Sequence, residues 1–336
     1  MAGQKRIRNI GDLAKIAGVS PGTVSRALSG KGLLSAETRD RIRALAEEYD
    51  FQPNALARNL RTQRTGAIGV IFPLGHERTQ NVSDPFFMTL LGHLADGLTE
   101  RGYDLVLSRV IPEGPSWLDR IIDSGRADGL IVIGQSDQIS VLDDVASRYK
   151  PLVVWGGYAP GQTHCSVGSD NFLGGMLAGQ HLIAQGCKTF AFFGDSRAPE
   201  IGQRLEGFRA ALKTAGVEGN LSVLSTHLTS GRGDTEISEY LEANPRPDGI
   251  FTASDVVAMN TLRALSELGV SVPEQVRVIG YDDLPLAEQT VPRLTTIRQD
   301  IGAGATYLID SLMRRIADQD TASVVMKPDL VVRMSA

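Results

Sequence analysis

From Gly66 onward the chain alternates short apolar runs of β type with longer helical patterns, and few folds accept that rhythm. The runs Ala67–Phe72, Leu105–Val110, Gly129–Ile133, Leu152–Trp155, Phe190–Phe193, Gly249–Phe251 and Val276–Gly280 predict strands. Between them, Phe87–Arg101, Leu173–Gln185, Glu200–Ala215, Val256–Leu268 and Ile301–Arg315 space their apolar residues at helical intervals. Continuously apolar strands, each followed by a helix, belong to parallel sheets covered on both faces. The units are too many for one small sheet, so the pattern predicts two doubly wound subdomains. In such folds a ligand lies in a crevice at the carboxyl ends of the strands.

The length of 336 residues accommodates two or three domains with full-sized cores. Hydrophobic content of 42% and charged content of 22% exclude a disordered chain, a collagen-like repeat or a low-complexity fibre. No run reaches the uninterrupted apolar length of a membrane span. The basic stretch from Met1 to Arg8 is followed by no apolar run of signal-peptide length, so a cytoplasmic protein is expected. Cys165 and Cys187 are too few for a disulfide framework and lack CxxC spacing; they read as free thiols in a reducing compartment.

The first 50 residues follow a different logic. Asn9 is an N-cap candidate for a helix through Leu13, Ala14 and Ile16 that stops at Gly18. Ser20 caps the next helix, with Pro21 at its first position, where the missing N–H is not needed. Val24, Ala27 and Leu28 share one face of that helix, which ends at Ser29-Gly30. Ser35 caps a third, striped by Ile42, Leu45, Ala46 and Tyr49. Two short helices joined by a glycine-containing turn form a helix-turn-helix. Pro53 then breaks the pattern, and Asn54 to Arg61 follow as a two-turn helical segment too short to persist alone in water.

Charge separates the same two regions. The formal net charge is -5, yet residues 1–65 hold 12 Lys and Arg against 6 acids, while the remainder holds 22 against 33. A basic head on an acidic body is the electrostatic form of a DNA-binding module attached to something that does not touch DNA.

Signs of catalysis are missing. Gly30-Lys31-Gly32 lacks the rest of a phosphate-binding loop, and Gly302-Ala303-Gly304 lacks the third glycine of a dinucleotide fingerprint. The five histidines (His76, His93, His164, His181, His227) show no metal-ligand spacing, and there is no Gly-x-Ser-x-Gly elbow. The expectation is a binding protein with no metal and no cofactor, and not an enzyme.

The segment from Ile10 to Leu28, IGDLAKIAGVSPGTVSRAL, closely resembles the signature of the LacI/GalR family of bacterial transcription regulators. The resemblance continues through Pro53 to Leu60, like that family's hinge helix, and into the body. There it runs through Ser83-Asp84-Pro85-Phe86-Phe87, Arg204 to Phe208, Ser254-Asp255, Val278 to Asp283 and Leu294 to Asp300, in family order. It implies a helix-turn-helix headpiece at 1–52, a hinge helix and linker at 53–65, and a periplasmic-binding-protein-like effector and dimerisation body at 66–336. The body's two doubly wound parallel-sheet subdomains are expected at about 66–163 with 297–322 and about 164–296 with 323–336. Their three crossovers then lie near Thr163, Ile297 and Ser323.

The resemblance further implies a homodimer, binding a pseudopalindromic double-stranded operator as a repressor of carbohydrate-utilisation genes, allosterically controlled by a sugar or glycoside. A two-fold protein suits a two-fold site. The helix from Pro21 to Ser29 becomes the recognition helix, exposing Pro21, Gly22, Thr23, Ser25 and Arg26 while Val24 and Leu28 face inward. Arg26 can donate twice to guanine, worth about 1–3 kcal/mol of discrimination; Ser20, Thr23 and Ser25 suit phosphates. Asn9 joins this DNA-binding set. Pro21-Gly22 replaces larger polar residues of many relatives and offers no base-reading group. Leu60 matches an intercalating leucine, with Asn54, Ala57 and Arg61 along the minor groove.

For the effector, the resemblance implies Arg204 as a clamp for paired oxygens, Asp282 as an acceptor of sugar hydroxyls, and Phe87 as an aromatic wall. Gln299 becomes a crossover contact, and Asp84, Trp155 and Ser254 complete the set. Gly156 stands where several relatives have Asp, and Ser254 where sugar sensors often have Asn. The stretch Leu74 to Val82 resembles an insertion able to form a lip over a larger ligand. A secreted solute-binding protein with the same body is the alternative, opposed by the basic headpiece; an α/β enzyme is a third reading. The chain ends at Ala336 without a leucine heptad, so no tetramerising tail is expected.

Overall fold

A computed structural model describes residues 9–29, 33–51, 64–74, 82–135, 137–226 and 232–336, with Ser29 and residues 232–234 as backbone only. Asn54, Ala57, Leu60, Arg61 and most of the stretch between Leu74 and Val82 lie outside these residues. The chain separates into two compact units, Met1–Thr65 and Gly66–Ala336.

The first unit is built by local capping chemistry. Helix α1 (Ile10–Ala17) starts where the Asn9 side chain accepts from the N–H of Asp12 at 3.0 Å, and ends at Gly18 with φ 65. Helix α2 (Pro21–Ser29) starts at Ser20, whose Oγ accepts from the N–H of Thr23 at 3.2 Å. Helix α3 (Ala36–Glu48) starts at Ser35, accepting from the N–H of Thr38 at 3.3 Å. Leu13, Ala14, Ala17, Val24, Ala27, Ile42, Ala46 and Phe51 form the core, and Leu28 packs at its edge. Phe51 reaches it because Asp50, with φ 47, turns the chain back, and the Phe51 N–H donates to Ala46 O at 2.8 Å.

In the second unit the described residues form two six-stranded sheets. The elements of the first half are β1 (Ala67–Pro73), α4 (Pro85–Glu100), β2 (Asp104–Val110), α5 (Trp117–Asp123), β3 (Gly129–Ile133), α6 (Ile139–Ala146), β4 (Leu152–Trp155) and β5 (Ser166–Ser169). The second half follows with α7 (Asn171–Ala184), β6 (Phe190–Phe193), α8 (Pro199–Thr214), β7 (Leu221–Leu224), α9 (Arg232–Ala243), β8 (Gly249–Thr252), α10 (Asp255–Glu267), β9 (Arg277–Asp282) and β10 (Thr295–Arg298). Helix α11 (Ile301–Ile316) and strand β11 (Val324–Met326) return to the first half, and β12 (Asp329–Val331) to the second. The first sheet runs β11-β5-β4-β3-β1-β2, all parallel; the second runs β12-β10-β9-β8-β6-β7, parallel except for the β10–β12 pair.

Both sheets are covered on both faces. Ile68, Val70 and Phe72 pack against α4 and α11, while Ile71, Leu130 and Val132 pack against α5 and α6. In the second sheet Phe190, Phe192 and Phe251 meet α7 and α8, while Ala191, Phe193 and Ile250 meet α9 and α10. Among the described residues, no helix is long and apolar enough to cross a membrane.

The three crossings fall later than the sequence suggested. Residues 166–169 belong to the first half, because β5 pairs with β4 (Val154 with Ser166, Trp155 with Val167) and with β11. The first crossing is therefore at Asp170, not near Thr163. Thr295 pairs with Ile279, so β10 stays in the second sheet and the chain crosses at Gln299-Asp300, close to the position expected near Ile297. Val324 pairs with Val167, so the last crossing is at Lys327-Pro328, not Ser323. Each boundary strand is short, and its pairing partner, not its own pattern, fixes its sheet.

Candidate functional site

The carboxyl ends of both sheets face one cleft within the second unit. The first half contributes Pro73 and Leu74 at the end of β1, Asp84, Phe86 and Phe87 at the start of α4, Ile133 and Gly134 at the end of β3, and Trp155 at the end of β4. The second half contributes Ala198, Glu200, Ile201 and Arg204 around α8, Ala253 and Ser254 after β8, Asp282 at the end of β9 and Gln299 after β10. All seven residues expected around an effector (Asp84, Phe87, Trp155, Arg204, Ser254, Asp282 and Gln299) line this one cleft.

Arg204 is buried, its guanidinium 3.6 Å from the centre of the Tyr281 ring. Its Nε donates to Asn171 Oδ1 at 2.9 Å, and its Nη1 donates to the Ala253 carbonyl. The fork is thus partly committed to protein, unlike the open clamp that paired ligand oxygens would need.

Asp282 is equally buried. It has φ 121 and Asp283 follows with φ 56. Such conformations cost non-glycine residues roughly 1–3 kcal/mol each and cluster at binding sites. Asp283 is held in place by Arg298 Nε at 2.6 Å and Arg333 Nη2 at 2.7 Å. Burial pushes the Asp282 carboxyl up to about 7, against the opposing charge of Arg204 and a 2.6 Å bond donated by Gln299 Nε2. Burial, then the charge of Asp282, pushes the neighbouring Asp255 well above its ordinary range too.

Ser169 ties these groups to the first crossing. Its carbonyl accepts from Asn171 Nδ2 at 3.0 Å, and its Oγ donates to Gln299 Oε1 at 3.2 Å. Neither Ser169 nor Asn171 was foreseen, because nothing local in the sequence links them to Arg204 or Gln299.

The opposite wall is aromatic. Phe86 lies 5.8 Å from Trp155 and 5.7 Å from Phe87, centre to centre, and Phe72 supports Phe87 at 4.8 Å. Asp84 and Ser254 also serve as N-caps, accepting from the N–H of Phe86 at 2.9 Å and of Val257 at 3.3 Å. Their oxygens are committed to helix ends that open on the cleft, where helix dipoles favour electron-rich ligand groups. Among the described residues, no group of three or more His, Cys, Asp and Glu is arranged to hold a metal ion.

In the first unit, Asn9, Ser20, Pro21, Gly22 and Arg26 are exposed, Thr23 and Ser25 are half-buried, and Val24 and Ala27 point into the core. Ser20 Oγ and Thr23 Oγ1 bond to each other at 2.9 Å, and Arg26 Nε donates to Gly22 O at 3.2 Å. The amino-terminal face of α2 therefore carries a short polar surface with one cation.

A helix-turn-helix unit preceding a two-lobed binding body defines a DNA-binding regulator of transcription. The profile "Bacterial regulatory proteins, lacI family" matches residues 9–54, and the profile "Periplasmic binding protein-like domain" matches 180–336. The sucrose operon repressor of Streptococcus mutans is 32% identical over 331 residues, covering 96% of this chain and 97% of that protein. The solved transcriptional regulator CelR–cellobiose complex is 29% identical with a TM-score of 0.69, covering 98% of this chain and 100% of the other. The Lac repressor dimer bound to operator and the anti-inducer ONPF shares the fold, at TM-score 0.84 and 23% identity, covering 98% of each chain. The chain belongs to the lacI family of bacterial regulatory proteins. That membership sets aside both the solute-binding-protein and the enzyme readings.

Proposed function

We propose that the cleft binds a neutral sugar or glycoside and that this ligand controls repression of carbohydrate-utilisation genes in the cytoplasm. Operator DNA is bound by a homodimer, through a headpiece at 1–52 and a hinge at 53–65. The observation that carries the reading is the division of the cleft: Arg204, Asp282 and Gln299 on one wall, Phe86, Phe87 and Trp155 on the other. A sugar ring has both kinds of surface, hydroxyls for the polar wall and a C–H face for the aromatic one. The relatives named for sucrose and cellobiose support a disaccharide-sized ligand. Asn9, Ser20, Pro21, Gly22, Thr23, Ser25 and Arg26 form the operator-reading surface, with Asn54, Ala57, Leu60 and Arg61 in the hinge.

A thermal-shift screen over mono- and disaccharides tests this. A ligand at 100 times its Kd stabilises by about 2.7 kcal/mol, roughly 5–10 °C for a body of this size. Arg204→Ala and Asp282→Ala should each abolish the shift. The reading fails if no sugar raises Tm, or if both variants respond as fully as the parent.

A further inference from the structure

A second set of polar contacts spans the cleft away from Arg204. Glu200, in the first turn of α8, belongs to the second half. Its Oε1 accepts from Gln135 Nε2 and from the N–H of Gly157, each at 3.3 Å, and both donors belong to the first half. Gln135 follows β3 and is buried. Its Nε2 also donates to the Gly157 carbonyl at 2.5 Å. A carbonyl only accepts, so this bond fixes the amide with its nitrogen toward Gly157 and Glu200 and its oxygen toward His164.

The partners of His164 follow from that orientation. His164 Nε2 lies 3.0 Å from Gln135 Oε1 and must donate to it. His164 Nδ1 lies 2.7 Å from Asp143 Oδ1, which also accepts the N–H groups of Thr163 at 2.7 Å and His164 at 3.0 Å. Burial pushes the Asp143 carboxyl up, but the N–H bonds from His164 and Thr163 outweigh it and hold the group below its ordinary value. Both ring nitrogens of this fully buried imidazole therefore face acceptor oxygens. Gly156 completes the arrangement: a Cβ there would sit 2.2 Å from Gln135 Nε2.

We propose that Glu200 is a latch between the two halves of the cleft, that Gln135 is its seat, and that His164 and Asp143 are positioning residues for that seat. The halves then open only as the Glu200 bonds break, and any ligand that enters or leaves the cleft is coupled to them. The proposal deepens the effector reading by assigning the regulation of the same cleft.

Trp155 in the cleft and the fully buried Trp117 are the chain's two tryptophans, so acrylamide quenching of Trp155 in a Trp117→Phe background reports opening without any ligand. Glu200→Ala, Gln135→Ala and Gly156→Ala should each raise the quenching constant about twofold or more, as the closed population falls. Glu200→Gln, which keeps an accepting oxygen, should restore the parent value. His164→Ala should raise quenching alone but add nothing in the Glu200→Ala background, although it still lowers stability there. If Trp117→Phe does not fold, the same series in the two-tryptophan parent serves, because buried Trp117 is silent to acrylamide. Unchanged quenching in Glu200→Ala overturns the latch, and an undiminished His164→Ala effect in that background overturns the positioning role. Neither result bears on whether sugar binds, which the thermal-shift screen decides separately.

Discussion

Asp282 carries two pH dependences of opposite use. Its folded carboxyl, pushed up to about 7 by burial, lies above the unfolded value of about 3.9. The folded state therefore holds the proton more tightly, and the stability this contributes is complete below about pH 4 and lost as pH rises through about 7. Asp255, raised by burial and by Asp282, acts with the same sign. Asp282→Asn should flatten the fall in Tm between pH 5 and 8, and the variant should be the more stable protein at pH 8. A variant with the parent's slope would mean that Asp282 is ionised throughout. Ligand binding turns the sign around. Sugar hydroxyls donate to a carboxylate, so binding selects the ionised form and should release a fraction of a proton near pH 6–7. Calorimetry in buffers of different ionisation enthalpy measures that fraction directly. Zero release would mean that the ligand leaves Asp282 protonated and accepts a bond from it.

Helices α7 and α8 touch backbone to backbone, and this contact sets where Arg204 sits. A Cβ on Gly175 would lie 1.9 Å from the Arg204 carbonyl, and one on Gly207 would lie 1.9 Å from the Phe172 carbonyl. Alanine at Gly175 gains helix propensity of about 1 kcal/mol, but overpacking against rigid backbone costs about 1–3 kcal/mol. The loss wins: Gly175→Ala and Gly207→Ala should each lower unfolding stability by roughly 1–2 kcal/mol, and Gly175→Ala should also weaken ligand binding by moving Arg204. Gly92→Ala in α4, where an added Cβ meets nothing within 4 Å, is the control and should be neutral or slightly stabilising in urea unfolding. Element scale is also where legibility in the sequence divides. Helices α1 to α3 were readable because caps act over three residues, and β1, β3, β4 and β6 because both their faces are apolar. The strands Ser166–Ser169, Leu221–Leu224, Thr295–Arg298, Val324–Met326 and Asp329–Val331 were not, since short, polar or edge strands are specified by neighbours distant in sequence. The cleft divides likewise. Family motifs brought Arg204 and Asp282 forward, whereas Glu200, Gln135, Asn171 and Ser169 depend on contacts between remote segments.

At the scale of the whole molecule, charge divides between the two units. Residues 1–65 carry a formal excess of six bases and the remainder an excess of eleven acids, so phosphate contacts belong to the head and operator affinity should fall steeply with salt. The effector acts from the other unit, and thermodynamics constrains the result whatever path connects them. If saturating sugar changes operator affinity by a factor, saturating operator must change sugar affinity by the same factor; typical couplings of 1–3 kcal/mol make it about 5–150-fold. Operator titrations with and without sugar, and sugar calorimetry with and without operator, should agree when both use one salt concentration. Variants then separate the parts of the cycle. Arg204→Ala removes the sugar and with it both factors. Arg26→Ala, on the exposed face of α2, should weaken operator binding by about 1–3 kcal/mol with and without sugar alike, leaving the factor itself unchanged. A change in the factor on Arg26→Ala would mean that the recognition helix is itself part of the switch. Unequal factors in the parent protein would mean that a further state, such as a change of assembly, has entered the cycle and that the effector does more than shift one equilibrium.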